Sequence, residues 1–262
     1  MPDRTEYSIL VNTTDSFEDC WDPYFKLFAK YWPNFNGKIY LNTEFKDYHY
    51  SSLDITALKV GKYLKRGKLT WSECLLKAME LIETETILFL LDDLFIIDYV
   101  NNSNFEKLVD IHINNDFTYL GLGGNSGPFH NTNFEDIYRI DQNAEFRISA
   151  LPSIWNINRM KKYIRKNENP WQFEVYGSKR AHYIEDKFYA INENTLGKNT
   201  IIKYPSRTGI VRGKWQRQMV DIFKTNSIYM DFNKRGFWDP YEKRTFIEKI
   251  LKRLSFSYHY NR

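Results

Sequence analysis

The run Thr86-Ile87-Leu88-Phe89-Leu90-Leu91 constrains this chain more than any other stretch. It is almost wholly apolar and shows no polar alternation. A strand of that composition is buried on both faces, which requires a sheet with helices packed on each side. The run stops abruptly at Asp92-Asp93. The longer apolar segment from Ile87 to Val100 contains Asp92, Asp93 and Asp98, so it cannot serve as a bilayer span.

The flanking sequence supplies partners for that strand. Tyr7 to Val11 reads as a short buried strand, followed by the polar loop Asn12 to Ser16. Pro23 to Trp32 has Phe25, Leu27, Phe28 and Tyr31 at helical spacing, and Lys38 to Leu41 is a second strand. Trp71 to Ile82 is a helix with Leu75, Leu76, Met79 and Ile82 inward, and Phe117 to Leu122 is a further strand. Beyond it, Glu135 to Ile148 suggests two short extended segments, followed by helices over Asn156–Arg165 and Pro170–Ala181. Strands at Phe188–Ile191 and Ile201–Tyr204 and a helix at Trp215–Lys224 complete the reading. The βαβ order predicts an α/β fold, a Rossmann-like mixed, mostly parallel sheet flanked by helices in a single domain.

With 262 residues and 42% hydrophobic content the chain can bury a core without disulfides or structural metals. Cys20 and Cys74 lie far apart in no CxxC spacing, which excludes a disulfide scaffold and a zinc knuckle. The start Met-Pro-Asp-Arg-Thr-Glu lacks the basic-then-apolar order of a secretory signal, so a reduced, cytoplasmic protein is expected. The formal charge of +4 is uneven: Lys234 to Arg262 holds eight Lys/Arg and three Asp/Glu, leaving the first 233 residues nearly neutral. The expected division is therefore a domain of residues 1–233 and a basic tail of 234–262. Within the tail, Phe246, Ile247, Ile250, Leu251 and Leu254 fall at helical spacing, with Lys249, Lys252 and Arg253 largely off the stripe. Such a helix either lies on an anionic membrane or packs on the domain with its lysines in water. A neutral body with a basic tail argues against nucleic acid as a partner.

Asp92-Asp93 at a strand end is the strongest chemical signal. In open α/β sheets ligands bind beyond the carboxyl ends of the strands. Two carboxylates there call for a cation such as Mg²⁺ or Mn²⁺ with phosphate oxygens, or for backbone amides that they cap. Gly121-Leu122-Gly123-Gly124-Asn125-Ser126-Gly127 fails the GxGxxG pattern and reads as a flexible loop near the site. The five histidines never fall in metal-ligand spacing, and His112, between Ile111 and Ile113, reads as a helix residue.

Four stretches in order resemble bacterial glycosyltransferases of the GT-A fold, closest to enzymes of capsule, O-antigen (lipopolysaccharide) and exopolysaccharide assembly. They are Ile9 to Trp21; Trp71-Ser72 and its helix leading to Leu90-Leu91-Asp92-Asp93; Ser149 to Trp155 with Glu168 to Glu174 and Gly177-Ser178; and Gly209 to Trp215. The resemblance implies a nucleotide-sugar donor held by Val11, Asn12, Thr13 and Asp15, with Trp71, Leu91 and Asp92 beside it. It places Asp93 at the metal position, although the adjacent aspartates depart from the family's Asp-x-Asp. Arg212 and Lys214, with Gly213 between them, would meet the departing diphosphate. Glu174 would be the base of an inverting transfer, favoured as a carboxylate by a helix N-terminus, with Glu168 in reserve. Trp155 and Trp171 would stack on sugar rings of the acceptor, a glycan that the resemblance makes lipid-linked. Two other classes fit the residues: a metal-dependent phosphoryl or nucleotidyl transferase using Asp92 and Asp93, and a non-catalytic glycan- or membrane-binding module.

Overall fold

In the computed structural model, residues 6–63, 69–191, 201–205 and 208–242 are described. The apolar stripe at residues 246–254 lies outside them. The chain divides into two compact units, residues 1–207 and 208–262, so the second takes in residues 208–233 as well as the basic stretch.

In the first unit, β1 (Tyr7–Asn12) is flanked by β2 (Ile39–Asn42) and β4 (Thr86–Leu91), both parallel to it. Burial on both faces, expected for β4, holds for β1 and β2 as well. A short β3 (Ile55–Ala57), not foreseen, extends the parallel half beyond β2. The other half is mixed. It comprises β5 (Tyr119–Gly121), β6 (Phe129–His130), β7 (Ile137–Ile140), β8 (Ser153–Asn156) and β9 (Phe188–Ile191). The order across the sheet is β3-β2-β1-β4-β8-β5-β9-β7-β6. β8 runs antiparallel to both neighbours, β4 and β5, while β9 is parallel to β5.

Helices cover the two faces. α1 (Glu18–Tyr31) and α3 (Asn102–Asn114) share an aromatic layer in which Trp32 meets Phe105 edge-on at 5.0 Å and Tyr7 meets Phe105 at 5.5 Å. α2 (Trp71–Leu81) packs Leu75, Ala78 and Met79 into the core that also holds Trp155, while Leu76 and Ile82 are only partly buried against it. Its start is well specified. The Thr70 hydroxyl accepts from the Glu73 N–H and the Glu73 carboxylate accepts from the Thr70 N–H, a capping box.

Several boundaries differ from the sequence reading for identifiable reasons. α1 begins five residues before Pro23, because Cys20 and Trp21 extend its buried face upstream; the proline is accommodated inside the helix. The helix expected from Asn156 is only α4 (Ile157–Met160) and one 3₁₀ turn, since Ser153–Asn156 is committed to the sheet and the Asn156 side chain caps the short helix behind it. Between Glu135 and Ile148 a single strand forms, β7. Residues 201–204 form no strand; instead the Lys203 and Ile201 carbonyls accept from the N–H groups of Ile97 and Asn101.

In the second unit, β10 (Ile210–Val211) and β11 (Lys214–Trp215) form a hairpin with Arg212 and Gly213 as its two-residue turn. Both turn residues have positive φ, 54° and 78°, as a primed hairpin turn requires. Because Trp215 belongs to this hairpin, the expected helix starts later, as α7 (Gln218–Thr225). Trp215 packs edge-on against Phe223 at 5.6 Å and Phe232 at 5.8 Å.

His112 is a helix residue as expected; it lies on the buried side of α3, and neither ring nitrogen has a hydrogen-bond partner. Burial, reinforced by the Arg159 charge, pushes its pKa down to about 3. The unfolded chain therefore takes up the proton first: the stability contribution is complete above about pH 6.5 and is lost as pH falls toward 3. By pH 5 the loss reaches about 2 kcal/mol. His112→Leu should be at least as stable as the parent at pH 7.5 and should lose this part of the acid sensitivity, read from urea denaturation at pH 7.5 and 5.0.

Candidate active site

The carboxyl ends of β1, β2 and β4 emerge at one edge of the sheet. The register Asn12↔Leu91 places the next residues, Thr13 and Asp92, side by side. The Thr13 hydroxyl donates to Asp92 Oδ2 and accepts from Trp21 Nε1 at 2.8 Å, so α1 is tied to the end of β4 through a buried relay. Asp92 is 5% exposed. Asp93 is half-buried. Tyr24 lies beneath them; burial, then the two aspartate charges, raises its pKa and keeps the phenol neutral. Asn42 donates through Nδ2 to Asn12 Oδ1 at 2.7 Å, closing the ends of β1 and β2.

Asp15 takes a different part from the one expected. Its carboxylate accepts from the N–H groups of Glu44, Phe45 and Lys46 at 2.9, 3.0 and 3.2 Å, and its own N–H donates to Glu44. It clamps the loop after β2 to the loop after β1. Val11 is fully buried in the ladder, which leaves its side chain no route to a ligand. Leu91 is partly buried, and its carbonyl accepts from Leu94 to make the turn that carries the aspartates.

Glu174 reaches the same edge from far along the chain. α5 (Pro170–Gln172) starts at an Asn169 cap with Gln172 completing the box, then passes through a π-helical turn (Phe173–Gly177) into α6 (Ser178–Ala181). A π turn re-aims the side chains within it. Glu174 Oε1 accepts from the Ala150 N–H at 2.8 Å and the Ser149 hydroxyl at 3.2 Å; among the described residues its second oxygen accepts no hydrogen bond. Residues 149–152 lead into β8, whose Ser153 pairs with Phe89 of β4 and Gly121 of β5, so this loop stands at the edge where Asp92-Asp93 emerge. The electrostatics reverse the helix-terminus expectation. Burial raises the Glu174 pKa, and the two hydrogen bonds only partly offset it.

Two residues that the sequence did not flag complete this edge. The Tyr119 hydroxyl donates to Asn125 Oδ1 at 3.1 Å, and Asn125 Nδ2 is buried without a hydrogen-bond partner. A Cβ at Gly121 would stand 1.9 Å from that same oxygen, so the glycine is required for the bond. These contacts, with the Leu122 N–H donating to Pro152 O, tie down a loop that composition alone marked as flexible. The cue was a tyrosine two residues before a glycine at a strand end.

Glu168 is a structural ion pair, with Oε1 and Oε2 each 2.8 Å from the Arg180 guanidinium. Trp155 is fully buried, its ring 4.6 Å from Tyr119 and its Nε1 donating to Ser153, so it has no face to offer a sugar. Trp171 is 67% exposed. Trp71 is partly buried against Phe173. In the second unit Arg212 lies in the hairpin turn and Lys214 opens β11; Lys214 Nζ pairs with Glu242 at 3.0 Å and Arg212 donates to the Glu242 carbonyl. Among the described residues no group of three or more His, Cys, Asp and Glu is placed to hold a metal. With one Asp92 oxygen engaged by Thr13, a divalent ion at this edge would have to draw most of its ligands from outside the protein. No described helix is long and apolar enough to cross a membrane.

No family model and no curated protein matches the sequence. Among solved structures the chain is similar to S. aureus TarS, at 14% identity and a TM-score of 0.41, over 72% of this chain and 37% of that one. It is also similar to S. aureus TarS 1-349, at 13% identity and 0.41, over 72% and 60%. For TarS 1-349 in complex with UDP-GlcNAc the values are 11% and 0.43, over 88% and 69%. The chain thus spans less than two thirds of the first two.

Thr13→Val should lower stability by about 1–3 kcal/mol, because it withdraws a donor from a buried carboxylate. Thr13→Ser, which keeps the hydroxyl, should restore most of it. Urea denaturation of the three proteins at pH 7.5 measures both.

Proposed function

We propose that this chain is a glycosyltransferase that moves a sugar from a nucleotide-sugar donor to a glycan acceptor with inversion. The observation that carries the reading is Glu174: a carboxylate with one oxygen anchored by Ala150 and Ser149, the other without a hydrogen bond, and an elevated proton affinity, at the sheet edge where Asp92-Asp93 emerge. Those are the properties of a general base. In the proposed step the second oxygen takes the proton of an acceptor hydroxyl while that hydroxyl's oxygen forms a bond to the anomeric carbon. The bond from that carbon to the nucleoside diphosphate breaks on the opposite face, and the diphosphate leaves with the electron pair. A Mg²⁺ or Mn²⁺ ion held by Asp93 would neutralise charge on the diphosphate. Asp92 stays fixed by Thr13, and the exposed ring of Trp171 offers a surface to an acceptor sugar. The acceptor class we favour is a lipid-linked glycan of bacterial surface polysaccharide synthesis, with the basic tail of residues 234–262 meeting an anionic membrane at its cytoplasmic face.

Donor turnover with UDP-N-acetylglucosamine, UDP-glucose, UDP-galactose and GDP-mannose tests the reading. Glu174→Gln should reduce kcat at least ~100-fold while leaving donor binding within a few fold. Turnover of none of these donors overturns the proposal, as does a profile in which Asp93→Asn abolishes activity and Glu174→Gln spares it, the pattern of a metal-dependent phosphoryl transferase.

The pH profile adds a second check. Activity should rise with pH as Glu174 ionises, with a midpoint above the ordinary glutamate value because burial raises its pKa. Ser149→Ala removes a donor that favours the ionised form, so it should shift the midpoint further upward.

A further inference from the structure

On the outer part of the sheet, the register places His130, Arg139 and Tyr189 in one row across β6, β7 and β9. Directly opposed residues project from the same face, so the three side chains stand together. The turn of residues 131–134 flanks that face, and the groove between them, open to solvent, has a volume of about 510 Å³. This is within the range that holds small ligands. Tyr189 stacks on Phe117 at 4.0 Å, and Phe134 closes edge-on against Phe117 at 5.5 Å, which fixes an aromatic wall.

The polar groups around this wall are available. The Arg139 guanidinium makes no hydrogen bond or salt bridge among the described residues, and neither do the side-chain amides of Asn131 and Asn133. His130 Nε2 is 2.7 Å from Asp141 Oδ2. Local charge argues against an anion trap: over residues 130–141 Arg139 is the single Lys or Arg, against Glu135, Asp136 and Asp141. A rigid ring beside two amides and one guanidinium, in a neutral-to-acidic setting, matches a ligand with apolar C–H faces and many hydroxyls. We infer that this cavity is a second saccharide site, which holds an uncharged stretch of glycan away from the transfer site. Three to five strand spacings separate it from β4, roughly 14–24 Å. Assigning its occupant to the acceptor chain rests on the transfer reading above; saccharide binding itself does not.

The test is a titration of the isotope-labelled full chain with maltotriose, chitotriose and inorganic phosphate, monitored through backbone amide shifts. At least one trisaccharide should shift the amides of residues 130–134, 139 and 189 saturably. Arg139→Ala and Asn133→Ala should each weaken that binding at least fivefold, while Glu174→Gln titrates as the parent. Donor hydrolysis should be unchanged in Arg139→Ala. The inference is overturned if neither trisaccharide shifts these amides, if phosphate saturates the cavity in their place, or if both alanine variants bind as the parent. Saccharide binding without donor turnover would sink the transfer reading and leave this site standing. Donor turnover with a silent cavity would do the reverse.

Discussion

The hydrogen bond from Thr13 to Asp92 is the constraint on which the rest of the site depends. β1 and β4 are both buried on two faces, and where such strands end the chain must pass from an apolar interior to polar chemistry within one residue. A carboxylate at that boundary costs several kcal/mol unless donors meet it. Thr13 meets it, and Trp21 in turn fixes the Thr13 rotamer, so the direction of α1 and the placement of Asp92 are one problem with one solution. Asp15 solves the neighbouring problem by accepting the amides of residues 44–46. The loops after three parallel strands are thereby held by side chains rather than by sheet pairing.

The antiparallel insertion of β8 is what brings in Glu174, the proposed base. Were the strand between β4 and β5 parallel to them, residues 149–152 would lie at the opposite edge from Asp92-Asp93. Because it is antiparallel, the loop before it shares their edge, and the Ala150 amide becomes the anchor for Glu174. This strand was invisible to periodicity. Ser153-Ile154-Trp155-Asn156 is too short to show alternation, and Pro152 before it reads as a break. Its identity depends on partners more than thirty residues away on one side and more than sixty on the other, which no local signal encodes.

Features with a local physical cause were legible. β1, β2 and β4 came from apolar runs, and α2 came from the helical spacing of Leu75, Leu76, Met79 and Ile82, while the capping boxes at Thr70 and Asn169 emerged only with the structure. Roles set by long-range packing were not. Trp155 carried the same letter whether it stacked on a sugar or filled the core, and only its neighbours Tyr119 and Phe188 decide for the core. Glu174 was placed by resemblance, but its burial and its anchoring loop arise from the fold. The hairpin around Arg212-Gly213 was not foreseen either, because its two strands are two residues each and its turn is set by the positive φ at both positions.

The aromatic fraction bears on the chemistry indirectly. Trp21, Trp32, Trp155 and Trp215, four of the seven tryptophans, are all fully buried and serve packing. Yet that packing aims Glu174, the proposed base. Phe173 is held between Trp71 at 5.6 Å and Trp155 at 6.4 Å, and it opens the π turn whose next residue is Glu174. With Phe173 pinned in the core and Ser178 bonded to the Ile148 N–H at 2.9 Å, the turn between them has little freedom, and Glu174 is directed at Ala150. A carboxylate raised in pKa by burial remains a usable base only if its open oxygen keeps one direction, and here rigid rings, rather than a network of charges, supply that direction.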